Sequence, residues 1–354
     1  MGSENDMAEL EAASVPVTHE ACRNCANPCD EGHDEYPAKF GADYESEMRG
    51  SVKPYHRQVV ISTGKTDWPH DISDEKDTLA AYLTDAQNEL SKKHKPKPSH
   101  SQQNGTGTEK EPVVRLSKQP EGVLRSSDAT RLSILNGSHT SCSTETNQQT
   151  VIVLPDYIAV CDVPPSKAAS VSLWKSALDP AVDRFGVTSE GNTFQTWTLP
   201  YSCVILLCSH KKRDNRCAIA APKLETAFIQ HLQHAGWSVD TQLEDLSCTG
   251  EPLEKSTQSP EERAVEAIRR LKVIGEGGKH RALVIKNSHV GGHKFAGNVI
   301  IYKPQGSGIW YGRVTPHEVD AIVKSTIIDG KVFPALLRGG LDISRPGCQS
   351  LNDW

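Results

Sequence analysis

No run of eighteen apolar residues occurs anywhere in the chain, so the sequence offers no membrane-spanning helix. Positive charge is not in excess either. With 39 Lys and Arg against 45 Asp and Glu the net charge is −6, and no nucleic-acid footprint is expected. The opening MGSENDMAELEAAS lacks an apolar h-region and the arginines of a transit peptide, and Asp6 stands where a myristoylation signal needs Ser or Thr. Gly64-Lys65 follows a strand-like run but has no upstream glycine in the G-x-x-x-x-G-K pattern, which excludes a phosphate loop. These absences leave the expectation of a cytoplasmic or nuclear protein.

What is present is a chain of 354 residues, long enough for about two domains, with 26 Gly, 21 Pro and ten cysteines. In a reducing compartment ten cysteines do not form a disulfide framework, so metal or redox chemistry becomes the first question.

The first fifty residues are polar, with no apolar period, and read as mostly disordered. Gln58 to Ser62 reads as a strand, Thr78 to Leu90 as a helix, and Leu132 to Leu135, Thr150 to Leu154 and Tyr157 to Val160 as further strands. Between them, Ser91 to Pro112 is rich in Lys, Pro, Ser, His, Gln and Gly and cannot bury enough surface to order. Tyr201 to Leu207 is a buried-strand run, followed by a helix carrying Leu224, Phe228 and Leu232 and stopped near Gly236. Ser259-Pro260-Glu261-Glu262 and Thr315-Pro316-His317-Glu318 are two capping-box helix starts. Between these, Ala282 to Ile285 is a strand, and Asn298 to Tyr302 and Ile309 to Arg313 form a hairpin.

The expected organisation is α/β. It comprises a disordered, cysteine-containing segment 1–50, an α/β domain 51–195 with a disordered insertion 91–130, a thioredoxin-like α/β domain 196–330, and a tail 331–354.

Cys208 and Cys217 bracket the basic loop Ser209 to Arg216, and His289 and His293 bracket Val290-Gly291-Gly292. If a helical crossover joins the strand ending at Leu207 to the strand Ala282 to Ile285, the two run parallel and their exit loops share one rim, bringing the four donors together. Two thiolates and two imidazoles suit a tetrahedral zinc or a [2Fe–2S] cluster. The eight residues between the cysteines exceed ordinary zinc-finger spacing, which favours the larger core. Gly291 and Gly292 allow a sharp turn between the histidines. Imidazole in place of thiolate moves the potential from about −400 mV into a range of roughly −150 to +300 mV, and lets it fall with rising pH. The basic loop reads equally as a solvated face or as a bias toward the reduced form. His210 within it could compete as a ligand or relay protons, but reads more simply as solvent-facing.

The runs SHVGGHKFAGNVIIY (Ser288 to Tyr302) and WYGRVTPHEV (Trp310 to Val319), with Cys208 and Cys217 upstream and SVKPYHRQVVISTGKTDWP (Ser51 to Pro69) in the first half, resemble the sucrase/ferredoxin-like family. The resemblance implies a C-terminal thioredoxin-like ferredoxin domain with a [2Fe–2S] cluster held by Cys208, Cys217, His289 and His293. It implies a redox role without naming a substrate. Residues 237–279 are longer than the crossover needs, and residues 91–112 have no counterpart.

Cys22, Cys25, Cys29 and His33 form a C-x2-C-x3-C-x3-H pattern able to take zinc or a second metal; the competing reading is exposed thiols. The ending Leu351-Asn352-Asp353-Trp354 resembles the tail by which cytosolic iron–sulfur proteins dock on the cytosolic iron–sulfur assembly targeting complex, through Asp353 and Trp354. Cys203 reads as a buried hydrophobe, and Cys142, Cys161, Cys248 and Cys348 have no partner at useful spacing. Three functions compete: an electron-transfer protein rather than a stand-alone enzyme, an iron or oxidant sensor with a labile cluster, and a zinc-stapled scaffold.

Overall fold

Along the strand Cys203–Cys208 the side chains alternate between two apolar cores: Cys203, Ile205 and Leu207 enter one, Val204 and Leu206 the other. The two-residue period of an extended chain produces this split. The same division recurs in Arg281–Asn287, where Ala282 and Val284 oppose Leu283 and Ile285. A strand buried on both faces must be apolar at nearly every position, which is why CVILLC reads as a continuous run.

The computed structural model describes residues 4–26, 32–90, 119–143, 145–185, 194–256, 259–277 and 280–354. Its elements in chain order are α1 (Glu4–Ala12), β1 (Arg57–Ser62), α2 (Leu79–Leu90), β2 (Val123–Leu124), β3 (Leu132–Gly137), β4 (Gln149–Leu154), β5 (Ile158–Val163), α3 (Lys167–Leu173), β6 (Gln195–Thr198), β7 (Cys203–Cys208), α4 (Asn215–His234), β8 (Ser238–Asp240), α5 (Leu253–Ser256), α6 (Pro260–Glu276), β9 (Arg281–Asn287), β10 (Val299–Tyr302), β11 (Gly308–Tyr311), α7 (Pro316–Ala321) and β12 (Leu337–Leu341). The chain is an α/β protein with one mixed sheet in the order β2-β12-β11-β10-β7-β9-β3-β1-β4-β5-β6, and β8 pairs β9.

The strands of both halves therefore lie in one sheet. The joint is narrow: β9 gives the beginning of one edge to β8 and, at Asn287, meets Gly137 of β3. Two backbone bonds lock it, from Ser138 N to the Lys286 carbonyl (2.9 Å) and from Ser288 N to the Asn136 carbonyl (2.8 Å). The Ser288 and Ser138 hydroxyls accept from the amides of Asn136 and Lys286, both at 3.0 Å.

Both capping boxes form as the sequence implies. The Ser259 hydroxyl accepts from Glu262 N and Glu262 answers to Ser259 N, and Thr315 and Glu318 repeat the exchange at α7. The helix after Pro316 continues as a wider π segment, Ile322–Ile328.

The structure differs from expectation at three places. The N-terminal segment is not simply loose: α1 forms, Leu10, Val15 and Val17 are buried in the core that holds Ile322 and Val332, and Val17 bridges Val332 in parallel. These side chains show no common period because Leu10 lies in α1 and Val15 and Val17 in the non-helical chain after it, yet each contributes roughly 1.5–3 kcal/mol on burial. Within the expected insertion, residues 91–118 lie outside the described residues, but Val123 and Leu124 pair with β12. The tail supplies β12 itself, which pairs β11. Residues 237–279, longer than a crossover requires, supply β8 and cover the second core with Leu253, Ala267 and Leu271.

Candidate functional site

β7 and β9 pair in parallel with Cys208 opposite Asn287, so both chains leave the sheet at the same rim. From β7 the chain turns through residues 209–214, and Asp214 caps α4 by accepting from Arg216 N. This sets Cys217 in the first turn of α4, facing back toward the strand end. From β9 the chain passes through Ser288 to His289. The donor atoms of Cys208, Cys217 and His289 lie within 4.8 Å of one another, with Cys208 Sγ 4.0 Å from His289 Nδ1. His293 is not within that close trio; its ring centroid stands 5.7 Å from that of His289.

The four residues form a gradient of exposure. Cys208 and Cys217 are 3% and 1% exposed, His289 is half-buried, and His293 is exposed. Cys208 is held well below the ordinary thiol range, first by the hydrogen bond from the Cys217 thiol, then by His289 and the Val290 amide, against the effect of burial. Cys217 is pushed up by the same shared bond and by burial. The pair thus keeps one proton between two sulfurs.

A buried cation stands behind the loop. Arg338 of β12 donates to the Asn298 side chain (2.7 Å), the Gly291 carbonyl (3.2 Å) and the Ser51 hydroxyl (3.1 Å). Burial lowers its pKa to about 10 while Cys208 and Cys217 hold it up, so it is charged at neutral pH. Sequence reasoning missed Arg338: it lies in a stretch with no motif, far along the chain from either loop. Its presence explains Gly292, whose φ is +67° and where a β-carbon would collide with the guanidinium.

The basic loop divides. Arg216 is neutralised by Asp214 through two bonds of 2.9 and 2.7 Å and donates to the Gly41 carbonyl, whereas Lys211, Lys212 and Arg213 are exposed. His210 is not solvent-facing: it is buried, its Nε2 donates to the Trp68 carbonyl at 2.8 Å, and its ring lies 6.1 Å from His289. Its Nδ1 has no hydrogen-bond partner among the described residues. A cleft of about 300 Å³ opens beside His289, lined from both halves by Lys53, Tyr55, Arg131 and Trp310 among others.

Of the N-terminal candidates, Cys22 packs against the apolar core, Cys29 lies outside the described residues, and Cys25 and His33 gather with His317 of α7. At the other end, the Asp353 carboxylate accepts from the amides of Gln349 and Ser350, and Leu351 is buried. Trp354 is 37% exposed with its ring 5.9 Å from Lys272 Nζ. No helix among the described residues is long and apolar enough to cross a membrane.

Fold and site together define an α/β protein with a thiol–imidazole site at the rim of two parallel strands. The match over residues 48–339 places it: the chain belongs to the Sucrase/ferredoxin-like family. It is similar to Actin patches distal protein 1 of Saccharomyces cerevisiae, 26% identical over 319 residues that cover 88% of this chain and 80% of that protein. It is also similar to Altered inheritance of mitochondria protein 32 of Clavispora lusitaniae, 30% identical over 136 residues, 38% of this chain and 34% of that protein. The protein of that name from Debaryomyces hansenii is 31% identical over 138 residues, 38% and 35% of the two chains. No solved structure matches.

Proposed function

We propose that this chain is an electron-transfer protein whose Cys208, Cys217, His289 and His293 hold a [2Fe–2S] cluster. The observation that carries the proposal is the convergence at one rim of two buried thiols, from the end of β7 and the start of α4, and an imidazole from the chain leaving β9. The donor set fits: two sulfurs that share a proton and lie in the field of Arg338, with two nitrogens on the solvent side. A centre so ligated supplies one-electron transfer at a potential raised by its imidazoles.

The chain's own residues do the rest. Val290 N–H and Arg338 offset negative charge on sulfur, and β7 and β9 fix the distance between the loops. The ring of His293 is exposed to solvent. The order β11-β10-β7-β9-β8, with α4 joining β7 to β8, α6 leading from there into β9, and α7 after β11, supports a thioredoxin-like reading of this half. The cleft beside His289 offers a docking place for a redox partner. Trp354, held out by the turn that Asp353 closes, is the contact we assign to the cytosolic iron–sulfur assembly targeting complex.

The test is anaerobic purification with metal, sulfide and paramagnetic resonance analysis. We expect red-brown protein with about two irons and two acid-labile sulfides per chain, lost in Cys208→Ser. Colourless protein holding a single zinc that Cys208→Ser removes would overturn the cluster and leave a zinc scaffold. Cluster loss under mild oxidant, in place of reversible reduction, would replace transfer by sensing.

A further inference from the structure

A second gathering of soft and borderline donors lies outside the rim site and shares no residue with it. Cys25 and His33 come from the N-terminal segment and His317 from the first turn of α7, and their donor atoms all fall within 4.8 Å of one another. Cys25 Sγ is 2.9 Å from His317 Nδ1, a contact spanning 292 positions of sequence. The rings of His33 and His317 stand 5.2 Å apart, edge to face. We propose that Cys25, His33 and His317 bind a zinc ion that staples the N-terminal segment to α7.

The donor chemistry selects the metal. One thiolate and two imidazoles with a fourth position for water form a familiar tetrahedral zinc set, whereas magnesium and calcium require oxygen. Zinc–sulfur and zinc–nitrogen bonds of about 2.3 and 2.0 Å put tetrahedral ligand atoms about 3.3–3.6 Å apart. The Cys25–His317 contact of 2.9 Å and the 4.8 Å that bounds the other separations bracket that range, so the donors are within about 1.5 Å of ligand spacing. Cys25 and His33 are half-buried and leave an approach from solvent, while His317 is buried.

His317 presents Nδ1 to Cys25, while the Glu35 carboxylate stands 3.8 Å from its Nε2, beyond hydrogen-bond distance but on the side away from the thiol. His231, the next imidazole beyond His33, is turned to Asp320 through its Nδ1 at 3.3 Å. On binding, the Cys25 thiol releases its proton to water. The consequence is mechanical. The segment that covers the core with Leu10, Val15 and Val17 would be pinned to α7, which packs on α4, and α4 carries Cys217. The inference does not rest on the cluster.

The test uses the full chain with elemental analysis and cobalt(II) as a spectroscopic probe. We expect about one zinc per chain that is retained in Cys208→Ser and falls at least about tenfold in Cys25→Ser and His33→Asn, with visible absorption from the rim site unchanged. Cobalt added to metal-stripped Cys208→Ser protein should give a thiolate charge-transfer band that the added Cys25→Ser change abolishes. Protein free of zinc that also fails to bind cobalt would overturn the proposal. So would zinc that leaves with Cys208→Ser and stays in Cys25→Ser. Should Cys25→Ser fail to fold, His33→Asn, altering a half-buried surface ring, decides the same question.

Discussion

Gly292 and Arg338 approach so closely that a β-carbon on the glycine would lie 2.3 Å from the guanidinium Nη2. Gly291 has the same left-handed backbone, φ +80°, but open space where its β-carbon would go. Alanine at either position meets a left-handed penalty of about 1–2 kcal/mol, and only Gly292→Ala must also displace a buried cation from its three partners. We expect Gly291→Ala to lose about 1 kcal/mol and Gly292→Ala about 2–4 kcal/mol in denaturant unfolding. Equal losses in the two variants would mean that Arg338 is not fixed by this loop.

The same guanidinium lies in the field of both sulfurs, so it would favour an added electron on the proposed centre. A charge several ångströms away at an effective dielectric near 20 contributes about 1.5–2.5 kcal/mol. For a one-electron couple this is roughly 60–110 mV. Arg338→Met should therefore lower the reduction potential by that order, read by redox titration at fixed pH and ionic strength. A potential that stays put or rises would remove Arg338 from the account.

The rim site was largely legible because topology does the work: two strands joined through a helix run parallel, and their exits must coincide. Cys208, Cys217 and His289 needed nothing more. Arg338 was not legible, since β12 is reached only after α7 and the π segment, and a lone arginine carries no spacing signal. The meeting of Cys25 with His317 was hidden for a related reason: an aperiodic segment pairs with a helix start almost three hundred residues away. The single sheet was equally hidden, because β3 and β9 meet through one residue pair, Gly137 and Asn287, at the ends of both strands. His210 was misread because charge flanks it on the sequence, while Trp68, which buries it, comes from the other half.

His139 gives stability a dependence on acid. It is fully buried, and desolvation lowers its pKa from 6.5 to about 4. The folded state then binds fewer protons than the unfolded state between these values, so stability present above pH 6.5 drains away as pH falls toward 4. At 1.36 kcal/mol per unit the loss is roughly 3 kcal/mol. Urea unfolding at pH 7 and 4.5 should show a smaller acid loss in His139→Phe than in the parent chain. Parallel losses would mean that His139 is protonated without cost in the fold.

Two imidazoles stand near His289 and would be the candidates for the fourth ligand of the proposed centre: His293, with ring centroids 5.7 Å apart, and His210, at 6.1 Å. Their surroundings differ in kind. His210 is enclosed and spends Nε2 on the Trp68 carbonyl, which ties it to the loop after β1, whereas His293 is exposed and opens the short 3-10 turn that follows two left-handed glycines. Ligation through His293 would leave the far nitrogen of that ring in contact with water, so the potential of the proposed centre should fall with rising pH. His293→Cys should keep a coloured centre, lower its potential toward the all-thiolate range and flatten the pH slope. His210→Phe should cost stability through the lost bond to Trp68, by roughly 1–2 kcal/mol, and leave potential and slope unchanged. The reverse pattern, with the slope lost in His210→Phe and kept in His293→Cys, would hand the fourth position to the buried ring.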